Sequence, residues 1–224
     1  MTTKETIIQI LNAFENDSAS PKTEYDKVYL YHDGPGNVKQ VTLARGYTEC
    51  GGALWSVFSE YEKLGGSKAK ELLSYKKDSC KGTLPNNKSF LNLITDTAKT
   101  DDKFCRAQDI VYDRMYWNPG YAWFEKNGFK LPLSLGVIQD SYLQSGGILD
   151  FLRKRFTESV PASGGDEKAW IKSYLETRKS WLANHTNTIL HNTVYRPEFF
   201  LHQIRDNNWN LDKFPIYPND SRVG

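Results

Sequence analysis

The alternation of outward and inward residues that marks a strand is concentrated between residues 27 and 43. There KVYLYHD and VKQVTL flank DGPGN, with Gly34, Pro35 and Gly36 supplying a turn, so the segment reads as a β-hairpin. Nearly every later segment spaces its apolar residues as helices do. A single small hairpin set among helices makes the expected class α+β and mostly helical.

The first helix is expected over residues 3–14, where Ile7, Ile8, Ile10, Leu11 and Phe14 share helical spacing. Thr3 is its expected N-cap, and the helix should end near Glu15-Asn16. The stretch 15–24, ENDSASPKTE, is turn-rich. Beyond the hairpin, helices are expected over 52–65, 68–78, 87–98, 102–128, 132–146, 148–159, 166–184 and 197–207. Gly128, Gly146 and Gly164-Gly165 sit where helix ends favour glycine. The last sixteen residues, from Trp209, are irregular. There is no internal repeat and no low-complexity linker, so residues 1–224 are expected to form a single domain of two lobes.

With 224 residues, the chain is long enough to bury a sizeable core. A net charge of +2 and the lack of a long basic run argue against a nucleic-acid partner. No apolar run reaches the length of a membrane span, and no membrane partner is expected. The three cysteines have no CxxC spacing, and the four histidines, His32, His185, His191 and His202, form no HExxH arrangement. No metal and no other cofactor is expected. A Cys80–Cys105 disulfide is open if the protein is exported, as are reduced thiols. The first seventeen residues read as an amphipathic helix rather than a signal peptide. The expected location is nonetheless outside the cell, with a leader absent from this chain or by a non-classical route. The 6 Trp, 13 Tyr and 11 Phe could line a groove for sugars, although most of such rings serve a core.

Hydrolysis of a glycosidic bond needs two carboxylates, one donating a proton and one ionised. Glu15 at the end of the first helix, Asp33 at the hairpin turn and Glu49, expected to close the second strand, are the acids so placed. With 27 acidic residues in the chain, such spacing is weak on its own.

Three segments carry more weight. They are AFEN (13–16) with DGPG and RGYTEC (45–50), LGVIQDSYLQSGG (135–147), and GGDEKAWIKSYLETR (164–178) with VYRPEFFL (194–201) beyond it. Together and in order they resemble the chitosanases of glycoside hydrolase family 46, in the lysozyme-like superfamily. The GGDE…LETR segment is the most specific of them.

That resemblance implies a two-lobed lysozyme-like fold with a cleft between the lobes. It implies Glu15 as general acid, Asp33 as general base and Thr48 as the residue that holds the attacking water. In the family the Tyr-Thr pair follows its DGRG directly, whereas here nine residues, NVKQVTLAR, are inserted between Gly36 and Gly46. Alignment on RGYT instead puts Leu43 at the base position, which would hand that role to Glu49. A supporting ionic network of Asp140, Arg178 and Arg196 is implied behind the acid. An arginine alone would make Glu15 a poorer acid, and a shared aspartate offsets that effect. Tyr31, Arg45 and Tyr47, beside these acids, are the candidate substrate-binding residues.

The expected activity is endo-acting, inverting hydrolysis of β-1,4 bonds in an amino-sugar polysaccharide, with chitosan first. A peptidoglycan hydrolase is the alternative, because a mildly basic protein approaches an anionic polymer readily. A sugar-binding protein that has lost catalysis is the third reading. The polysaccharide is the only partner expected, and the protein is expected to be a monomer.

Overall fold

A computed structural model describes residues 1–15 and 23–224. Most of the turn-rich stretch 15–24 therefore lies outside the described residues. Two compact units divide the chain: residues 23–115 form one, and the N-terminal segment with residues 116–224 forms the other.

The hairpin unit holds a three-stranded antiparallel sheet in the order β1 (Val28–Tyr31), β2 (Gln40–Leu43) and β3 (Tyr47–Thr48). Tyr31 pairs with Gln40 across a short 3-10 turn at Pro35–Asn37, where Gly36 and Asn37 both take positive φ. The second strand does not run on to Glu49. It stops at Leu43, because Ala44 and Gly46 adopt left-handed φ and turn the chain into β3, which pairs Thr48 with Thr42. Two residues are too few to show an alternating pattern, so this strand left no sequence signal.

Four helices complete the unit: α2 (Ala53–Lys63), α3 (Ala69–Ser74), α4 (Lys88–Thr100) and α5 (Asp102–Tyr112). Their apolar faces meet in an aromatic core in which Phe58 contacts Trp55, Phe90 and Phe104. Cys50 and Cys80 form a disulfide, and Cys105 is free, its thiol bonded to the Ala98 carbonyl. The Cys80–Cys105 pairing is thus replaced by one that ties the end of the sheet to the turn after α3.

In the other unit, α1 spans Thr3–Glu15. Its cap is Thr2 rather than Thr3. The Thr2 hydroxyl accepts from Glu5 N–H, and the Glu5 carboxylate accepts from Thr2 N–H, which forms a capping box. The remaining helices are α6 (Asn118–Lys126), α7 (Pro132–Ser145), α8 (Asp150–Arg153), α9 (Glu167–Ala183) and α10 (Tyr195–Arg205).

Two expected helices are altered. The segment 102–128 is interrupted by a π-helical turn at Asp113–Trp117, just before Pro119, whose ring would crowd a regular helix. The expected helix at 148–159 is a single turn. The Arg153 guanidinium takes the carbonyls of Phe156 and Glu158, and Phe156 packs edge-on against Trp170. These contacts hold the chain out of a helix until the 3-10 turn at Pro161–Ser163, which precedes α9.

Among the described residues, no helix is long and apolar enough to cross a membrane.

Candidate active site

Glu15 is the last residue of α1, and the helix end is held from two sides. The Phe14 carbonyl accepts from the Tyr195 hydroxyl at 2.7 Å, and the Ala13 carbonyl accepts from Asn219 Nδ2 at 3.1 Å. These side chains satisfy acceptors that a helix C-terminus leaves open. Phe14 itself is buried against Tyr195, Phe199 and Phe200. The backbone under Glu15 is therefore fixed while its side chain remains 41% exposed.

Behind that carboxylate runs a chain of buried charges. Arg196 Nη1 donates to Glu15 Oε1 at 2.6 Å, and Arg196 Nε donates to Asp140 Oδ1 at 2.8 Å. Arg178 Nη1 donates to Asp140 Oδ2 at 2.6 Å, and its Nη2 bonds the Gln144 side chain. Ser141 steadies the inner end, accepting from Tyr174 and lying 3.3 Å from Arg178 Nη1. Asp140 and Arg178 have no exposed surface, and Arg196 has 4%.

Two guanidinium cations and two carboxylates alternate along this line, so the formal charges cancel. Burial alone would raise the Asp140 pKa, but the Arg196 and Arg178 charges outweigh it and hold the carboxyl below its ordinary range. Burial likewise opposes the Arg196 cation, and the charges of Asp140 and Glu15 more than compensate, raising its pKa. Nearby, burial and the Glu15 charge both push the Tyr116 phenol up.

The GGDE motif explains how Arg178 is aimed. Gly164 takes a left-handed φ of 83°, and a Cβ on Gly165 would sit 1.7 Å from the Ser159 carbonyl oxygen. Asp166 then caps α9 by accepting from Ala169 N–H at 2.7 Å. Glu167 accepts from Leu131 N–H at 2.8 Å, which joins the start of α9 to the start of α7. The helix that carries Arg178 and the helix that carries Asp140 are thereby registered at their N-termini.

In the hairpin unit, Asp33 is exposed at the turn, and its Oδ1 accepts from the Gln40 side-chain amide at 2.8 Å. Thr48 is half-buried in β3. A Cβ on Gly51 would fall 2.4 Å from the Thr48 hydroxyl, so the absence of a side chain at 51 leaves that hydroxyl its place.

Residues 9–216 match the model of glycosyl hydrolase family 46. The chain belongs to that family. A chitosanase of Bacillus subtilis is 30% identical, covering 96% of this chain and 81% of its own length. The crystal structure of a native chitosanase from Bacillus subtilis MY002 is similar with a TM-score of 0.78 at 26% identity, over 99% of this chain and 97% of that one. A mutant of that enzyme in complex with 6 GlcN has a TM-score of 0.76 at 25% identity, over 99% and 97%. A Gynuella sunshinyii chitosanase bound to chitotetraose shares the fold, with a TM-score of 0.78 at 21% identity over 100% and 98%. Family 46 membership makes the chain a glycoside hydrolase of mostly helical, lysozyme-like architecture with one small sheet.

For this family-46 chain, three expectations about the hairpin change. Glu49 has no exposed surface. Its Oε2 accepts from Val41 N–H at 3.0 Å and its Oε1 from Cys80 N–H at 2.7 Å, so both oxygens bind backbone rather than solvent. A base for water needs an accessible oxygen, and Glu49 has none. Tyr47 is also fully buried, its hydroxyl donating to the Gln108 carbonyl at 2.6 Å, so it cannot touch a substrate. Arg45 is committed to Asp109 and lies over the Tyr112 ring at 4.1 Å, with 7% of its side chain exposed. It is a structural cation rather than an available one. Tyr31 differs from these: it is 47% exposed and stacked on Tyr29.

Sequence reasoning missed Gln40, Gly51, Tyr195 and Asn219. Tyr195 stood inside the VYRPEFFL segment, but only Arg196 drew attention there. The others bear on the site through contacts that no motif spelled out.

Proposed function

We propose that this family-46 hydrolase is an endo-chitosanase that inverts configuration in a single displacement. The observation that carries the reading is the exposed Glu15 carboxylate at the open end of the buried Arg196–Asp140–Arg178 line. That arrangement gives an acid a fixed direction, and Asp140 offsets part of the positive charge of the two arginines behind it. The relatives named as chitosanases, one of them bound to 6 GlcN, point to glucosamine polymers as the substrate class.

In this mechanism Glu15 protonates the leaving glycosidic oxygen. Asp33 removes a proton from a water that Thr48 orients, and the water attacks the anomeric carbon from the opposite face. Asp33 suits the base role because one oxygen is held by Gln40 while the side chain remains exposed. Tyr31, beside it on the hairpin, offers an exposed ring face on which a sugar could stack. Glu49 is assigned a structural role. The Cys50–Cys80 disulfide supports work in an oxidising, extracellular setting, where a polysaccharide substrate would be met.

The test is reducing-end release from chitosan by wild type, Glu15→Gln and Asp33→Asn, with turbidity loss of a peptidoglycan suspension in parallel. Wild type should cut chitosan, and each variant should lose on the order of 10³-fold or more in kcat. Wild-type kcat in Glu15→Gln, or clearing of peptidoglycan without cleavage of chitosan, would overturn the proposal.

A further inference from the structure

We propose that Gln40 is a positioning residue for the Asp33 carboxylate, and that the disulfide-bonded Cys50 backbone sets the direction of its amide. The proposal rests on the reading of Asp33 as the base and extends it to the residue behind.

Gln40 is 4% exposed and begins β2, opposite Tyr31. Its side-chain amide has two ends with different chemistry, one accepting and one donating. Cys50 N–H lies 2.9 Å from Oε1 and can only donate, so the acceptor end of the amide must face Cys50. The donor end is then turned to Asp33 Oδ1 at 2.8 Å. The backbone of Cys50 thereby sets which end of Gln40 meets the base.

Cys50 is itself firmly placed. Its disulfide to Cys80 closes a 30-residue separation, and Cys80 N–H is bound by Glu49 Oε1. The other oxygen of Glu49 binds Val41 N–H, immediately after Gln40, and Glu49 N–H returns to the Val41 carbonyl at 2.9 Å. A second contact reaches the base along the main chain. A Cβ on Gly34, the residue after Asp33, would stand 3.1 Å from Cys50 Sγ and 2.8 Å from the Val38 carbonyl oxygen. Gly34 N–H donates to that same carbonyl at 3.0 Å. Asp33 is therefore constrained through its side chain by Gln40 and through its backbone by the turn packed on Cys50.

The chemical consequence is a division of the carboxylate. Oδ1 is occupied by the Gln40 donor, which fixes the plane of the carboxyl group and directs Oδ2 to take a proton from water. Orientation of this kind acts on the chemical step, so its loss should lower kcat and leave KM nearly unchanged.

The experiment measures kcat and KM on a glucosamine hexamer for Gln40→Leu, Gln40→Glu, Asp33→Asn and the double variant Asp33→Asn/Gln40→Leu. Gln40→Leu should lose on the order of 10²-fold in kcat. Gln40→Glu keeps the shape and the acceptor for Cys50 N–H but at neutral pH offers Asp33 no donor. It should lose at least as much, and it carries the test if the leucine variant fails to fold. The double variant should be no slower than Asp33→Asn, because Gln40 acts through Asp33. Wild-type kcat in Gln40→Glu, a loss confined to KM, or full multiplication of the two losses would overturn the inference. Full activity in Asp33→Asn would instead overturn the base assignment itself.

Discussion

The two carboxylates proposed for catalysis are held by opposite means. Glu15 is held by charge: Arg196, Asp140 and Arg178 come from three helices and from positions 125 to 181 residues away. Asp33 is held by a neutral amide seven residues away and by a turn packed on a disulfide sulfur. The contrast matches the proposed tasks. An acid must release its proton and recover it, so its surroundings have to tolerate both charge states. A row in which Asp140 offsets part of the arginine charge is better suited to that than a lone cation. A base must chiefly point one oxygen at a water, and an amide fixes a carboxylate without adding charge.

The acid side should be the costlier to break. Asp140→Leu leaves two buried guanidinium groups without their shared anion and should cost about 3–5 kcal/mol in urea unfolding. The same residue sets a pH signature. Its folded pKa lies below the ordinary value of 3.8, so the unfolded chain binds the proton more readily. Its stabilisation is fully present above about pH 4 and is lost as the pH falls below that range. A Tm series from pH 6 to 3 should show this fall in wild type and a shallower one in Asp140→Asn.

On the base side, Cys50→Ser/Cys80→Ser should cost about 3–4 kcal/mol, from the loop it releases. Its effect on activity should appear in kcat, through Gln40 and Asp33. Glu49→Gln should cost less, about 1–3 kcal/mol, since one backbone N–H loses its acceptor. The pH dependence of its kcat should match wild type, which separates a structural glutamate from a catalytic one. Smallest is Gly51→Ala, whose new methyl would press on the Thr48 hydroxyl. A tenfold loss in kcat, about 1.4 kcal/mol, with unchanged Tm is the expected result.

The same contrast explains what could be read from sequence. The helical body was legible because Ile7, Ile10 and Leu11, like Trp170, Ile171 and Tyr174, recur at helical spacing and are buried. Asp140, Arg178 and Arg196 were legible through motifs whose order resembled family 46, and the structure brings all three together with Glu15. The hairpin was harder. Glu49 and Tyr47 look available in a string of letters, and only the fold shows them turned inward against Val41, Cys80 and Gln108. The disulfide partner of Cys80 depended on where β3 returns the chain, and a two-residue strand gives no periodic signal. Gln40 carried no signal either, since a glutamine inside KQVTL reads as an ordinary strand residue.

The assignment of separate roles to Glu15 and Asp33 is tested most directly by the anomer that wild type first releases from a glucosamine hexamer, followed by proton NMR during the first minutes. Attack by a water that Asp33 deprotonates, opposite a leaving group that Glu15 protonates, predicts the α-anomer from a β-linked chain. Initial release of the β-anomer would contradict it, because that outcome requires a covalent glycosyl-enzyme and a carboxylate acting as nucleophile.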